Sequence, residues 1–158
     1  VTDDAKKNEN VTALIADLKK VSIKKGYAAA RALSITASVY ADKKEWAEAE
    51  KNWLEAAQVD PKSYLAPIAL YNAAAAAEER GDNKKALELY NRCAGEFKDS
   101  FPLAPRALFA TGRINEDLKD FTTANAAYKK IIEQWPNDSW TKLAHSRIIS
   151  IAAKKGAK

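Results

Sequence analysis

Reactive side chains are scarce in this sequence. His145 is the one histidine and Cys93 the one cysteine, and they fall in different segments of the 158-residue chain. A nucleophile and its base must sit within hydrogen-bond reach, and a thiol reacts only where its surroundings favour the thiolate. His145 stands beside Ala144 and Ser146 in a helically spaced stretch, while Cys93 occupies a small-residue position of another helix. A surface or interhelical histidine and a buried, inert thiol are therefore expected. Paired carboxylates occur at Glu78-Glu79 and Glu116-Asp117, but both pairs fall at helix ends, where solvated charge is the expectation. Five scattered glycines build no phosphate-cradling loop, and no Asp, Glu, His or Cys cluster has metal-ligand spacing. The sequence predicts no catalytic residue, no metal and no cofactor. Its chemistry is recognition.

Helices must position whatever does the recognising. After polar residues 1–9, expected to fray, Val11, Leu14, Ile15, Leu18 and Val21 recur at helical spacing and predict a helix over 11–26 closed by Gly26. Further helices are predicted over 27–41 and 45–59, the second ended by Asp60-Pro61, because the residue before proline is pushed out of the α region. Ser63 is expected to cap a helix that tolerates Pro67 in its first turn and runs to Arg80. Gly81-Asp82 then turns into a helix over 83–97, and 100–118 with 121–135 repeat the pair before Pro136. Ser139 is expected to cap a last helix to about residue 154 bearing Trp140, Leu143, Ile148 and Ile151. No alternating strand pattern or hairpin dipeptide occurs, so the predicted class is all-α.

Composition narrows the partner. Hydrophobic residues at 47% and charged residues at 30% fit a folded chain with a core. No apolar run approaches the roughly 20 residues needed to cross a bilayer. Val1 rather than Met opens the chain, so a trimmed start is expected and an anchor upstream stays compatible with it. One cysteine excludes an internal disulfide framework. The net charge of +5 divides into +2 over residues 1–25, +5 over 139–158 and −2 between them. A nucleic-acid solenoid needs its basic stripe along the repeats, where it tracks phosphates, so nucleic acid is not the expected partner.

The body repeats itself. Leu65-Ala66-Pro67-Ile68-Ala69-Leu70 returns as Leu103-Ala104-Pro105-Arg106-Ala107-Leu108, 38 residues on, each copy after a Ser-aromatic pair (Ser63-Tyr64, Ser100-Phe101). Aligned, three helix pairs share turn positions Lys44, Gly81 and Lys119, small residues Ala49, Ala86 and Ala124, and aromatics Trp53, Tyr90 and Tyr128. Ala56, Cys93 and Ile131 come next, and Pro61 and Pro136 close the first and third units. In the first helices, Leu33, Leu70 and Leu108 precede small Ala37, Ala74 and Gly112 by four residues. A small residue lets two helices approach, and the partner's aromatic fills the space beside it.

This grammar resembles the tetratricopeptide repeat (TPR) family over about residues 30–138, the third unit matching best. The second departs where Lys98 replaces the closing proline and Ala77 an aromatic. The resemblance implies one all-α solenoid domain, a right-handed superhelix of three helix pairs (30–63, 64–101 and 102–138) with terminal helices at 11–26 and 139–154. The longer link between units resembles bacterial cell-envelope TPR proteins. It implies the periplasm, with the cytoplasm as alternative.

A TPR array implies a non-enzymatic scaffold whose first helices line a groove for a protein or peptide. Carried across by position, the groove set is Arg31, Ser34, Ser38, Ala41 and Asp42, then Ile68, Tyr71, Ala75, Glu78 and Glu79, then Arg106, Phe109, Arg113, Glu116 and Asp117. Tyr71 and Phe109 share position five, as interface anchors or as packing against a neighbouring helix. The family's carboxylate clamp is not reproduced: Asn72 and Arg106 match it, but Ser34, Ser38 and Ala110 do not. Alternatives are an accessory transport subunit holding a small molecule in the same groove, and self-association through the end helices.

Overall fold

In the computed structural model, which describes residues 3–156, every element is a helix. They are α1 (Asp3–Ser22), α2 (Tyr27–Asp42), α3 (Trp46–Val59), α4 (Leu65–Glu79), α5 (Asn83–Glu96), α6 (Ala104–Asp117), α7 (Phe121–Gln134) and α8 (Ser139–Gly156). The all-α expectation holds, with no strand among the described residues. The chain forms two compact units, Val1–Ala86 and Leu87–Lys158.

The repeated turn is built the same way three times. Lys44, Gly81 and Lys119 take left-handed backbone angles, with φ of 60°, 78° and 63°. The following residue's N–H reaches back five positions: Glu45 to Tyr40 at 2.9 Å, Asp82 to Ala77 at 2.9 Å and Asp120 to Asn115 at 2.8 Å. These bonds satisfy carbonyls that the end of each first helix leaves open. Glycine occupies only one of the three positions, and a left-handed lysine strains its Cβ against the backbone. Lys44→Gly and Lys119→Gly should therefore each raise stability by about 1 kcal/mol, read as a higher denaturation midpoint. A lower midpoint for both would mean that the lysine side chains contribute something the backbone does not.

Within the first unit, α1 packs on α2, and α2, α3 and α4 pack on one another. The core is mostly alanine: Ala29, Ala30, Ala37, Ala49, Ala56, Ala73, Ala74 and Ala77 are closed off, with Leu33, Trp53 and Leu70 as the large members. Small side chains bring the helix axes close, and the few large ones fill what remains. In the second unit α6, α7 and α8 pack together around Leu108, Ile114, Tyr128, Ile131 and Ile151. The shared positions read from the sequence are all buried: Ala49, Ala86 and Ala124, the three aromatics, and Ala56, Cys93 and Ile131.

Several boundaries and caps differ from expectation. Helix α1 starts at Asp3 and ends at Ser22, so residues 3–9 are helical, while Val1 and Thr2 lie outside the described residues. The apolar spacing marked only its packed part, whereas Ala5, Lys6, Lys7 and Glu9 are good helix formers without a core to face. Gly26 does not close α1; with φ of 76° it is the residue that opens α2. Ser63 is not a cap, because its hydroxyl donates to the Asp60 carbonyl at 2.8 Å and Tyr64 stands at the helix start. Helix α6 begins at Ala104 rather than at residue 100, since Pro102 keeps Phe101 out of the α region. Asp138, not Ser139, caps α8 by accepting the Trp140 N–H at 2.8 Å.

Candidate partner-binding face

The groove positions of the two units have different fates. On α2, Arg31, Ser38 and Asp42 are exposed and Ser34 is half-buried. Both serine hydroxyls donate back along the helix, Ser34 to the Ala30 carbonyl at 2.9 Å and Ser38 to the Ser34 carbonyl at 3.0 Å. On α4, Ile68 and Glu79 are exposed, while Tyr71, Asn72 and Glu78 are half-buried.

On α6, Arg106, Phe109 and Glu116 meet side chains of α7 or α8. The Phe109 ring lies 5.2 Å from Tyr128 of α7 and 5.0 Å from Trp140 of α8, tilted to both. The Arg106 guanidinium lies 6.0 Å from the Trp140 ring centre, a spacing at which a cation is attracted to the aromatic face. Glu116, expected to be solvated charge, is 7% exposed. Its carboxylate accepts two bonds from Arg147 of α8, at 2.8 and 2.6 Å, and one from the Tyr128 hydroxyl at 2.7 Å. Arg113 pairs with Asp117 at 3.8 Å. Glu116 and Phe109 are covered because α8 lies on this surface, with Arg147 reaching Glu116 and Trp140 reaching Phe109. Burial alone would push the Glu116 carboxyl up. The bonds from Arg147 and Tyr128, with the charges of Arg147 and Lys154, more than offset that and hold it below its usual range.

The face that stays open in the first unit has two members that the sequence reading missed. Tyr27 opens α2 and Tyr64 stands at the start of α4, 40% and 65% exposed. Their hydroxyls meet at 2.8 Å, their rings lie 5.9 Å apart, and Arg31 donates to the Tyr27 hydroxyl at 3.2 Å. Arg31 and Tyr64 hold the Tyr27 phenol below its ordinary pKa, the Tyr64 bond being the larger cause. The two tyrosines stand six residues before Leu33 and Leu70, and buried Phe101 stands seven before Leu108, one residue out of register. The Ser-aromatic pairs were a signal, but Gly26 rather than Ser precedes Tyr27 and hid the first copy.

The single thiol and the single imidazole lie in different surroundings. Cys93 is fully buried, and desolvation followed by the charge of Glu96 pushes its thiol up to about 12, so almost none of it is thiolate at neutral pH. His145 is exposed, and no group of three His, Cys, Asp or Glu among the described residues could hold a metal ion. No helix among the described residues is long and apolar enough to cross a membrane.

Comparison with known proteins agrees with this architecture. Residues 68–100 and 96–139 each match a tetratricopeptide repeat model. A TPR repeat-containing protein of Treponema pallidum (strain Nichols) is 40% identical over 131 residues, which cover 83% of this chain and 54% of the relative. The chain thus spans about half the length of that curated relative. Among solved structures, the first TPR of Spaghetti, bound to an HSP90 peptide, superposes with a TM-score of 0.61 at 18% identity, covering 80% of this chain and 93% of that one. The N-terminal domain of stress-induced protein-1 from C. elegans gives 0.64 at 15% identity, covering 75% and 93%. At such identities the likeness speaks to the fold alone. The chain carries tetratricopeptide repeats and has their all-α helical-repeat fold.

Proposed function

We propose that this chain, as a carrier of tetratricopeptide repeats, is a non-enzymatic scaffold that holds a protein or peptide partner on the face shared by α2 and α4. The observation that carries this reading is that large apolar side chains stand exposed there: Tyr27, Tyr64 and Ile68, the last 39% exposed. Aromatic side chains at the centre of a recognition surface supply most of the affinity of ordinary interfaces. Tyr71, Asn72, Ser34 and Ser38 form the rest of this face, and Asp42, Glu78 and Glu79 its acidic end. Arg106, Phe109 and Glu116 of the third repeat are assigned to holding α8. A cell-envelope assembly is the setting we favour, supported by the bacterial relative and by repeat spacings longer than the family's usual one. In this reading the repeats 30–63, 64–101 and 102–138 act as one scaffold.

The test is affinity capture from the source cells, followed by titration of the captured partner against the wild-type chain and Ile68→Ala/Tyr71→Ala. The double variant should bind about 30-fold more weakly, or 2 kcal/mol. A captured partner that binds both equally would move the site elsewhere on the molecule. A partner confined to the cytosol would remove the envelope setting.

A further inference from the structure

The Tyr27–Arg31–Tyr64 cluster has more hydrogen-bond donors than it uses. Two hydroxyls and one guanidinium carry seven donor hydrogens, and the contacts within the cluster are the Arg31 bond to Tyr27 and the bond between the hydroxyls. Whichever tyrosine donates to the other, one hydroxyl proton and most of the guanidinium hydrogens have no acceptor among the described residues. Arg31 meets no carboxylate among the described residues; its interactions are with Tyr27 and Tyr64. Charge in the neighbouring sequence has the same sign. The first turns of α2 and α4 contain no acid, and the turns before them carry exposed Lys24, Lys25 and Lys62 against a single half-buried acid, Asp60.

An apolar strip adjoins this donor cluster. Ile68 follows Tyr64 by one helical turn on α4, and Ile35 follows Arg31 by one turn on α2, each 39% exposed. Acidic Asp42, Glu78 and Glu79 stand at the far ends of the same helices, about 20 Å away at 1.5 Å per residue. A long polyanion laid along the face would run into them.

We propose that the α2–α4 face takes an acidic peptide, in which an Asp or Glu carboxylate is held by Arg31 and a tyrosine hydroxyl while a neighbouring apolar side chain lies on Tyr64 and Ile68. This rests on the scaffold reading above and adds the chemistry of the partner. A carboxylate fits because it offers several acceptor positions to a group of donors and brings the charge that Arg31 lacks beside it. Tyr27 and Tyr64 hold each other in place through their hydroxyls, so part of the site is formed before a peptide arrives.

The experiment uses a displayed library of random 12-residue peptides, panned in parallel on the wild-type chain and on Arg31→Gln. Wild-type pools should enrich Asp or Glu within two positions of an aromatic or branched aliphatic residue, and Arg31→Gln pools should lose the acid. A fluorescent peptide from the wild-type pool should bind Arg31→Gln about fivefold more weakly or worse. Its Glu→Gln version should show the same loss on the wild-type chain and little further loss on Arg31→Gln. Arg31 is exposed, so both chains should melt together. Pools without acid enrichment, or acidic peptides that bind Arg31→Gln as well as wild type, would overturn the assignment. If such peptides still lost affinity on Ile68→Ala/Tyr71→Ala, the scaffold reading would stand alone. An empty wild-type pool would count against both. Salt-dependent binding of a 15-nucleotide oligothymidylate, tighter than any enriched peptide, would replace the peptide by nucleic acid.

Discussion

Adding one methyl group at Gly112 should destabilise the second unit by about 2–3 kcal/mol. A Cβ built there would stand 2.4 and 2.6 Å from the Tyr128 ring carbons Cε1 and Cζ, far inside van der Waals contact. The ring has nowhere to go. Tyr128 is fully buried, its hydroxyl is bonded to Glu116 at 2.7 Å, and its ring packs tilted against Phe109, 5.2 Å between centres. Alanine is the better helix former by about 1 kcal/mol, which offsets part of the clash. Gly95 supplies the matched control, because it lies in α5 with nothing within 4 Å of its added Cβ. Gly95→Ala should leave stability unchanged or raise it by up to about 1 kcal/mol. Denaturant titration of the two variants therefore separates steric contact from helix propensity. Equal midpoints would mean that α6 and α7 do not meet at Gly112 and Tyr128.

Removing the guanidinium of Arg147 should cost about 3 kcal/mol at neutral pH. The Glu116 side chain is only 4% exposed, and Arg147 supplies two of its three hydrogen bonds. In Arg147→Ala the carboxylate keeps its burial and loses most of its compensation. Because the Arg147 side chain is 40% exposed, water entering the gap will recover part of this, which keeps the figure at the low end for a buried pair. The pH dependence fixes the cause. In the wild-type chain the Glu116 carboxyl is held below its ordinary 4.5, so its contribution is full above that pH and is lost as the pH falls through the lower folded value. Without Arg147, burial is opposed only by the Tyr128 bond and the Lys154 charge, so the folded value moves up and the variant loses, as pH rises, stability that the wild-type chain keeps. The difference between the two proteins should thus be smallest at pH values below the lowered wild-type value and widen as the pH rises towards 7. A difference that is constant with pH would mean that Arg147 acts by packing alone.

How much of this was legible in the letters depends on where the determining interaction lies. The three left-handed turns could be placed from the sequence even though two carry lysine, because the spacing of small and large residues on either side located them. Gly112 and Tyr128 could be paired on the same ground. Cys93 could be read as buried from its register. The caps were harder, since a serine beside a proline or an aspartate can bond locally in several ways. Ser63 turned to the Asp60 carbonyl, and Asp138 took the role expected of Ser139.

The candidate site shows the division most clearly. The periodic sequence determined that the chain is all-helical, that its units pair a small residue with an aromatic, and that one side of each first helix is left out of that pairing. Periodicity is a property of neighbours along the chain, and helix geometry turns it directly into faces. It does not say what a face meets. Glu116 and Arg147 are separated by 31 positions, yet they form a two-bond pair, and Phe109 is covered by Trp140 of the same terminal helix. Tyr27 and Tyr64, 37 positions apart, touch at 2.8 Å and stay exposed. First-helix surfaces thus carry an exposed tyrosine pair at the starts of α2 and α4 and a helix contact on α6. Only the packing of α8 onto α6 and α7 decided between those outcomes, because burial depends on neighbours in space, and a repeat's own sequence is silent about which neighbour stands beside it.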